Sequence, residues 1–124
     1  MNFDVVREIA LALPKSEAGN LHGAPTVKVS GRLLACPALH KSAEANSIVV
    51  RVGMEQRAAL LARYADVYYV TDHYRNYPSV LARLDRIDRK SLRALLELGW
   101  RFVNSKAKAR TRGNRLLTTR RSKA

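Results

Sequence analysis

The dipeptide Ser30-Gly31 lies between two short apolar runs, and it constrains the fold more than any other feature of the chain. In residues 26–29, two valines occupy one face of a potential strand and a lysine occupies the other. A two-residue Ser-Gly connection after such a run is typical of a hairpin, so residues 32–36 predict the returning strand. Hairpins join antiparallel strands, and this part of the chain therefore indicates an antiparallel sheet.

The rest of the chain alternates between helical and strand patterns. Apolar residues recur at helical spacing in residues 3–13 and 54–65, and a third helix is predicted after an N-cap at Asp88. Further short strands are predicted at residues 47–52, 67–70 and 80–84. The order of helix, three strands, helix, two strands and helix predicts an α+β fold. We expect a single domain with an antiparallel sheet of about five strands flanked by three helices.

The same periodicity identifies the residues that we expect to face the sheet or the helices. In the strands these include Ile48, Val50, Val52, Val80, Ala82 and Leu84. In the second helix we expect the buried stripe to be Met54, Ala58, Leu61 and Ala65. In the third helix we expect it to be Leu92, Leu95, Leu96, Gly99, Phe102 and Val103.

Positive charge is distributed unevenly along the chain. There are 23 Lys and Arg residues against 10 Asp and Glu, a formal net charge of +13. Residues 106–124, here called the basic tail, contain eight of the cations and no acid, which leaves 13 − 8 = +5 for residues 1–105. The basic tail has too few apolar residues to form a core, so we expect it to be mobile or ordered only by a partner. It is either a nucleic-acid-binding arm or a solubilising extension.

Several classes of protein do not fit this sequence. The single cysteine, Cys36, cannot form an internal disulfide. No apolar run approaches the roughly 18 residues needed to span a bilayer, and the N-terminus lacks a signal-peptide pattern, so a cytoplasmic location is expected. Three scattered histidines, no metal-ligand spacing and no Gly-rich phosphate loop indicate no metal site, cofactor or catalytic set. We therefore do not expect an enzyme.

Two local clusters remain as candidates for function. The first is Leu21-His22-Gly23-Ala24-Pro25-Thr26, which could bind a ligand or simply orient the entry to a strand. The second is residues 68–77, which gather four tyrosines with His73 and Arg75. These side chains could stack on bases and hold a phosphate, or they could be packing residues at one end of the sheet.

The motifs together resemble those of the MmcQ/YjbR family. The resemblance rests on residues 6–14, 22–26, 29–35, 49–52, 57–61, 72–74 and 80–85 and on the helix of residues 92–103, and it covers roughly residues 3–103. The most family-like positions are His22, Gly23, Pro25, His73, Tyr74, Leu84 and Asp85. The resemblance implies a compact α+β domain similar to the frataxin-homologue fold and to double-wing DNA-binding domains. It implies no catalytic residues, and the basic tail lies outside it.

The first functional hypothesis is nucleic-acid binding, with DNA favoured over RNA and mostly non-specific phosphate contacts. We expect a monomer that does not bind membranes. The candidate nucleic-acid-binding residues are Lys28, Arg32, Lys41, Arg51 and Arg75 in the domain and Lys106, Lys108, Arg110, Arg112, Arg115, Arg120 and Arg121 in the basic tail.

The alternative hypothesis is a small-ligand or protein-interaction domain whose basic charge is incidental. The candidate ligand end of the domain comprises His22, His73 and Tyr74, with Arg83 as an anion anchor.

Overall fold

A computed structural model describes the backbone of residues 1–123 and the side chains of residues 1–106. The described chain is a single α+β domain with three helices and one six-stranded sheet, one strand more than predicted. The helices are α1 (Phe3–Leu11), α2 (Met54–Arg63) and α3 (Arg89–Lys123). The strands are β1 (Ser16–Leu21), β2 (Ala24–Val29), β3 (Arg32–Pro37), β4 (Ser47–Arg51), β5 (Tyr68–Tyr69) and β6 (Ser79–Arg83).

The sheet is antiparallel throughout, in the order β1-β2-β3-β4-β6-β5. The first four strands follow one another as a meander. The chain then passes through α2 to the far edge, where β5 is short, and returns to place β6 between β4 and β5. Strands β1 and β5 are therefore the two edges of the sheet.

Strand β1 is the element that the sequence pattern did not predict. Its sequence, SEAGNL, is rich in residues that are uncommon in strands, and most of its side chains are exposed. All six of its residues nevertheless pair with β2. At Gly19 a Cβ atom would lie only 2.7 Å from Oγ1 of Thr26, so the absence of a side chain permits this close pairing. Pairing with β2 thus stabilises β1 although its residues have a low preference for strands.

Two tight turns connect the first three strands. The backbone φ angles are 50° at Ser30 and 80° at Gly31, and 52° at His22 and 82° at Gly23. Positive φ at both central residues is the conformation that suits the twist of a two-residue hairpin. The turn predicted at Ser30-Gly31 is confirmed, and His22-Gly23 forms the corresponding turn between β1 and β2.

A bulge in β3 determines which residues of that strand reach the core. Val27 pairs with Ala35 whereas Lys28 pairs with Leu33, which leaves Leu34 as an extra residue. Leu34 and Ala35 are consecutive, yet both are fully buried. A bulge of this kind lets two adjacent side chains point toward the same face. The returning strand predicted at residues 32–36 is therefore present, but its buried residues do not alternate.

The core lies between one face of the sheet and the helices. The six strand residues predicted to point inward are all buried. In α3, Leu92, Leu95, Leu96 and Val103 belong to the same cluster, which confirms most of the predicted stripe. The predicted N-cap is also confirmed, because the backbone N–H of Ser91 donates to Oδ1 of Asp88 at 2.7 Å.

The predicted buried stripe of α2 is wrong at three of its four positions. Met54 is 46% exposed, and Ala58 and Ala65 are also exposed. The fourth, Leu61, packs against the core together with Leu60, and neither is fully buried. The physical reason is its position, since α2 contacts the sheet chiefly through β5 and β6 and so covers an edge rather than the centre.

Helix α3 crosses the boundary predicted between the domain and the basic tail. It continues as α-helix from Arg89 to Lys123, whereas the boundary was placed after residue 105. The side chains of residues 107–124 lie outside the described part of the chain, so the expected mobility of the basic tail stays a prediction.

No helix in the described backbone combines the length and apolar character needed to cross a bilayer.

Candidate functional site

Three cations converge where the sheet meets the middle of α3. Arg32 begins β3, Arg51 ends the antiparallel neighbour β4, and Lys106 lies on α3. With Leu33, Phe102 and Val103 they line one small cleft of about 30 Å³, here called the cationic cleft. Antiparallel pairing brings the first two together, and helix packing adds the third.

The charges of the cationic cleft are not neutralised by neighbouring acids. Nε of Arg51 donates to the backbone oxygen of Pro78 at 3.1 Å, and Nζ of Lys106 lies 5.7 Å from the centre of the Phe102 ring. Within residues 1–106, no salt bridge involves Arg32, Arg51 or Lys106. A volume of 30 Å³ holds about one water, so an anion such as a phosphate would bind at the mouth of the cleft.

The remaining predicted nucleic-acid-binding residues are not part of this cleft. Lys28 lies on β2 and its side chain runs beside Gly19 of the edge strand. Lys41 is exposed in the loop of residues 38–46, and Arg75 forms an exposed salt bridge of 2.8 Å with Asp72. Six of the seven predicted positions in the basic tail, Lys108, Arg110, Arg112, Arg115, Arg120 and Arg121, have side chains outside the described residues.

The aromatic cluster of residues 68–77 makes contacts with the loop of residues 38–46. The rings of His40 and His73 are stacked with centroids 3.5 Å apart and planes 5° from parallel. Tyr74 lies edge-on to both rings, and its hydroxyl accepts the backbone N–H of His40 at 3.3 Å. Desolvation, followed by the charges of His73 and Lys41, lowers the pKa of His40. No sequence spacing identified His40 as part of this cluster, because its stacking partner His73 is 33 residues away.

The predicted ligand end is only partly assembled. His73 and Tyr74 are in contact, but His22 lies in the exposed turn between β1 and β2, on the opposite edge strand from β5.

Arg83, the predicted anion anchor, is engaged within the protein. Its Nη2 lies 2.7 Å from Oε2 of Glu44, and Nη1 donates to the backbone oxygens of Ala65 and Asp66 at 3.2 and 3.1 Å. The guanidinium also lies 4.3 Å from the centre of the Tyr69 ring. The hydrogen bonds from Arg83 lower the pKa of the Glu44 carboxyl. This arrangement ties two loops to β6, which is a structural role.

A larger concave site lies between α2 and α3. This ligand groove has a volume of about 490 Å³. It is lined by Leu60, Tyr64, Asp66, Val67, Tyr68, Arg86, Ile87, Asp88, Ser91, Ala94, Leu95, Glu97, Leu98 and Arg101. Most of the α3 residues that line the groove recur at intervals of three and four and so lie on one face of the helix. This spacing is visible in the sequence, but it does not show that α2 lies opposite this face.

The chemistry of the remaining candidate groups is limited. Cys36 is half-buried in β3, and burial raises the pKa of its thiol, which disfavours the reactive thiolate. Among the side chains of residues 1–106, no three His, Cys, Asp or Glu residues lie close enough together to share a metal ion.

The described residues thus contain two surfaces suited to ligands, the cationic cleft and the ligand groove. The cleft is suited to anions, whereas the groove combines apolar, acidic and basic groups. No protein-family model and no curated protein matches this chain.

Proposed function

We propose that the protein binds nucleic acid, with DNA favoured, through the cationic cleft and the basic tail. The observation that carries the proposal is the convergence of Arg32, Arg51 and Lys106, with no acid paired to them among the described residues. Guanidinium and ammonium groups of this kind are the usual partners of phosphate oxygens.

The cleft and the tail are continuous along one helix. Lys106 is both a lining residue of the cleft and the first residue of the basic tail. Residues 106–123 are 18 helical residues, or roughly 27 Å at 1.5 Å per residue. Phosphates of one DNA strand are spaced roughly 3.4 Å apart along the axis, so this length matches about eight of them. The basic tail carries eight cations in its sequence, a number similar to that of the phosphates along this length.

Binding of this type carries little sequence information. Contacts to phosphate fix register and orientation, whereas sequence is read from base edges. Membership of the MmcQ/YjbR family, with its double-wing analogy, is part of the same proposal. The α+β fold is of the class that the resemblance implies, but a fold alone does not determine function.

The first test is the salt dependence of binding to a labelled DNA duplex. Each neutralised phosphate contributes about 0.9 to the slope of log K against log salt. Replacing two cleft cations in Arg32→Gln/Lys106→Gln should therefore reduce the slope by about 2. The matched control is Arg63→Gln/Lys90→Gln, which removes the same charge from exposed positions outside the cleft. Equal slopes for the two double variants would remove the cleft from the proposal.

The second test separates the contributions of the domain and the basic tail. A chain ending at Lys106 retains all three cations of the cationic cleft and the buried residues Val103 and Asn104, so the cleft and the core contacts of α3 stay intact. We expect this chain to bind DNA more weakly and with a shallower slope than the full chain. Undetectable binding of both chains at low salt would refute the proposed function.

A second candidate function is small-ligand binding, and the ligand groove is the observation that favours it. Its volume of about 490 Å³ falls within the range of small-molecule sites. The groove shares no lining residue with the cationic cleft, so the two proposals can be tested separately.

A further inference from the structure

The two edges of the sheet differ in how well they are protected against further strand pairing. The β5 edge has only two paired residues and is contacted by α2. The β1 edge has six residues, with no proline and no register shift in its pairing to β2. Proteins commonly protect an edge strand by shortness, a bulge or a proline, because an open edge can pair with another strand. Strand β1 has none of these three protections.

The backbone groups that β1 leaves free follow from the turn between β1 and β2. In a two-residue hairpin, the residues that flank the loop exchange hydrogen bonds, and every second pair along the strands does the same. Here the flanking residues are Leu21 and Ala24. The N–H of Ser30 donates to the backbone oxygen of Lys15 at 3.2 Å, which fits the same series. Leu21 and every second residue before it thus bond to β2, whereas the residues between them direct their backbone groups outward.

Three residues of β1 have backbone groups that point toward the free edge, namely Ser16, Ala18 and Asn20. The N–H of Ser16 donates to the backbone oxygen of Leu13 at 3.4 Å. Within the described backbone, no backbone–backbone hydrogen bond outside the β1–β2 pairing involves Ala18 or Asn20. Both residues are exposed, so α1 leaves them accessible. The edge can therefore accept another strand.

Two opposite charges lie beside this edge. Glu17 and Lys28 are cross-strand partners, yet within residues 1–106 no salt bridge involves either of them. The side chain of Lys28 instead runs from β2 over Gly19 of β1, where its Cε would lie 3.5 Å from a Cβ atom. It thus extends toward the free edge. The exposed carboxylate of Glu17 and the ammonium of Lys28 are both available to a partner.

We propose that two copies of this chain pair through β1, antiparallel to each other around a two-fold axis at Ala18. In this register Ala18 lies opposite Ala18 of the second copy, and Ser16 lies opposite Asn20. The two alanines exchange both of their backbone hydrogen bonds, and the N–H of each Asn20 donates to the oxygen of the opposing Ser16. A two-fold axis is the symmetry of most protein dimers and makes every contact twice.

The charges beside the edge favour this register. Glu17 of each copy lies opposite Gly19 of the other, and the Lys28 side chain that crosses this glycine brings its ammonium to the Glu17 carboxylate. Pairs without backbone hydrogen bonds, such as this one, have the closer side chains, and glycine leaves room for them. An axis at Glu17 would place two carboxylates opposite each other, which is unfavourable.

A second copy fits this edge better than an unrelated extended peptide. A peptide could pair with the same backbone groups, but a second copy also supplies one partner for Glu17 and one for Lys28. The net charge of +13 on each chain opposes association, although at 0.15 M salt charges farther apart than about 8 Å are largely screened. The dimer replaces the monomer expected from the sequence. It goes beyond nucleic-acid binding and does not depend on it.

The test is sedimentation equilibrium of the full chain, freed of nucleic acid, at about 150 mM salt. One strand pair makes an interface below the standard size, so the association should be weak and needs about 10–500 μM protein. We expect the mass to rise with concentration from 13.9 kDa toward twice that value. The mass of a single chain at every concentration would overturn the proposal.

Charge reversal tests the register. Glu17→Lys and Lys28→Glu should each weaken dimerisation about tenfold, or about 1.4 kcal/mol, because each places like charges together twice. A mixture of the two variants should dimerise about as well as the wild type, because both pairs of the mixed dimer are then attractive. Mixing cannot restore a contact within one chain. The control is Glu55→Lys, an exposed reversal on α2. Absence of rescue on mixing, or equal weakening by the control, would refute the proposal.

A backbone variant tests the pairing itself. Ala18→Pro removes an N–H that β2 does not use, so the dilute protein should melt near the wild-type temperature while dimerisation is lost. Unchanged dimerisation of a folded Ala18→Pro protein would place the interface elsewhere and refute the assignment. If this variant does not fold, the mixing experiment decides alone.

Discussion

Gly99 lies where α3 closely approaches the sheet, and its replacement by alanine tests the packing of this helix. A Cβ atom at this position would lie 2.7 Å from the backbone oxygen of Arg51 and 2.8 Å from Cγ1 of Val50. Favourable contacts between non-bonded carbons begin at roughly 3.5 Å, so both distances are too short. Because one of the atoms belongs to the backbone, α3 or β4 must move to accept the methyl group.

Two opposing terms determine the size of the effect. Alanine is favoured over glycine in a helix by about 1 kcal/mol. Overpacking a core costs about 1–3 kcal/mol, and a clash with backbone lies at the upper end. We therefore expect Gly99→Ala to reduce the free energy of unfolding by about 1–2 kcal/mol, out of a typical total of about 5–15 kcal/mol. The melting temperature should fall by roughly 4–8 °C.

The assay is urea unfolding followed by the fluorescence of the single tryptophan, Trp100. The matched control is Gly53→Ala at the start of α2, where the new methyl group meets chiefly the movable side-chain end of Gln56. We expect the control to change the free energy of unfolding by less than about 1 kcal/mol, as for changes at helix caps. A Gly99→Ala protein as stable as the wild type would refute the described contact between α3 and the sheet.

Two further predictions concern the loops. Arg83→Gln should reduce the free energy of unfolding by about 1–2 kcal/mol in thermal melts, because hydrogen bonds to two backbone carbonyls are lost. The same change should raise the pKa of Glu44, which NMR titration measures. The control is Arg75→Gln, which breaks only the exposed salt bridge with Asp72 and should change the free energy of unfolding by less than about 0.5 kcal/mol. Similar losses of stability for the Arg83 and Arg75 variants would contradict the structural role of Arg83. Because the folded-state pKa of His40 is below its unfolded value of 6.5, its contribution to stability should be present above pH 6.5 and decline as pH falls toward the folded value. In an NMR titration His73→Asn should raise the pKa of His40, and an unchanged value would show that the stacked ring has no electrostatic effect.

Local sequence patterns were sufficient to predict the elements whose buried residues recur with the regular spacing of a helix or strand. The turn at Ser30-Gly31, the core positions of Ile48 and Val50 in β4 and the apolar stripe of α3 follow from short-range geometry. Strand β1 could not be predicted, because its stability comes from pairing with β2 rather than from its own residues. The bulge at Leu34 and the exposure of Met54 depend on neighbouring elements, which a local period does not contain.

The candidate sites were harder to predict than the fold because their residues are distant in sequence. Arg32, Arg51 and Lys106 were each identified as basic, but only the register of β3 with β4 and the packing of α3 bring them together. The ligand groove combines Tyr68 and Arg101 from different elements, and no motif joins them. Charge can thus be counted from a sequence, whereas its concentration on one surface requires the fold.

The central claim is that the cationic cleft and the basic tail neutralise DNA phosphates. The most direct measurement is the affinity of the full chain for a labelled duplex between 50 and 200 mM salt. If about six phosphates are neutralised, the slope of log K against log salt should be about −5 and the affinity should fall roughly thousandfold. Absence of binding at 50 mM salt, or a slope close to zero, would contradict the claim.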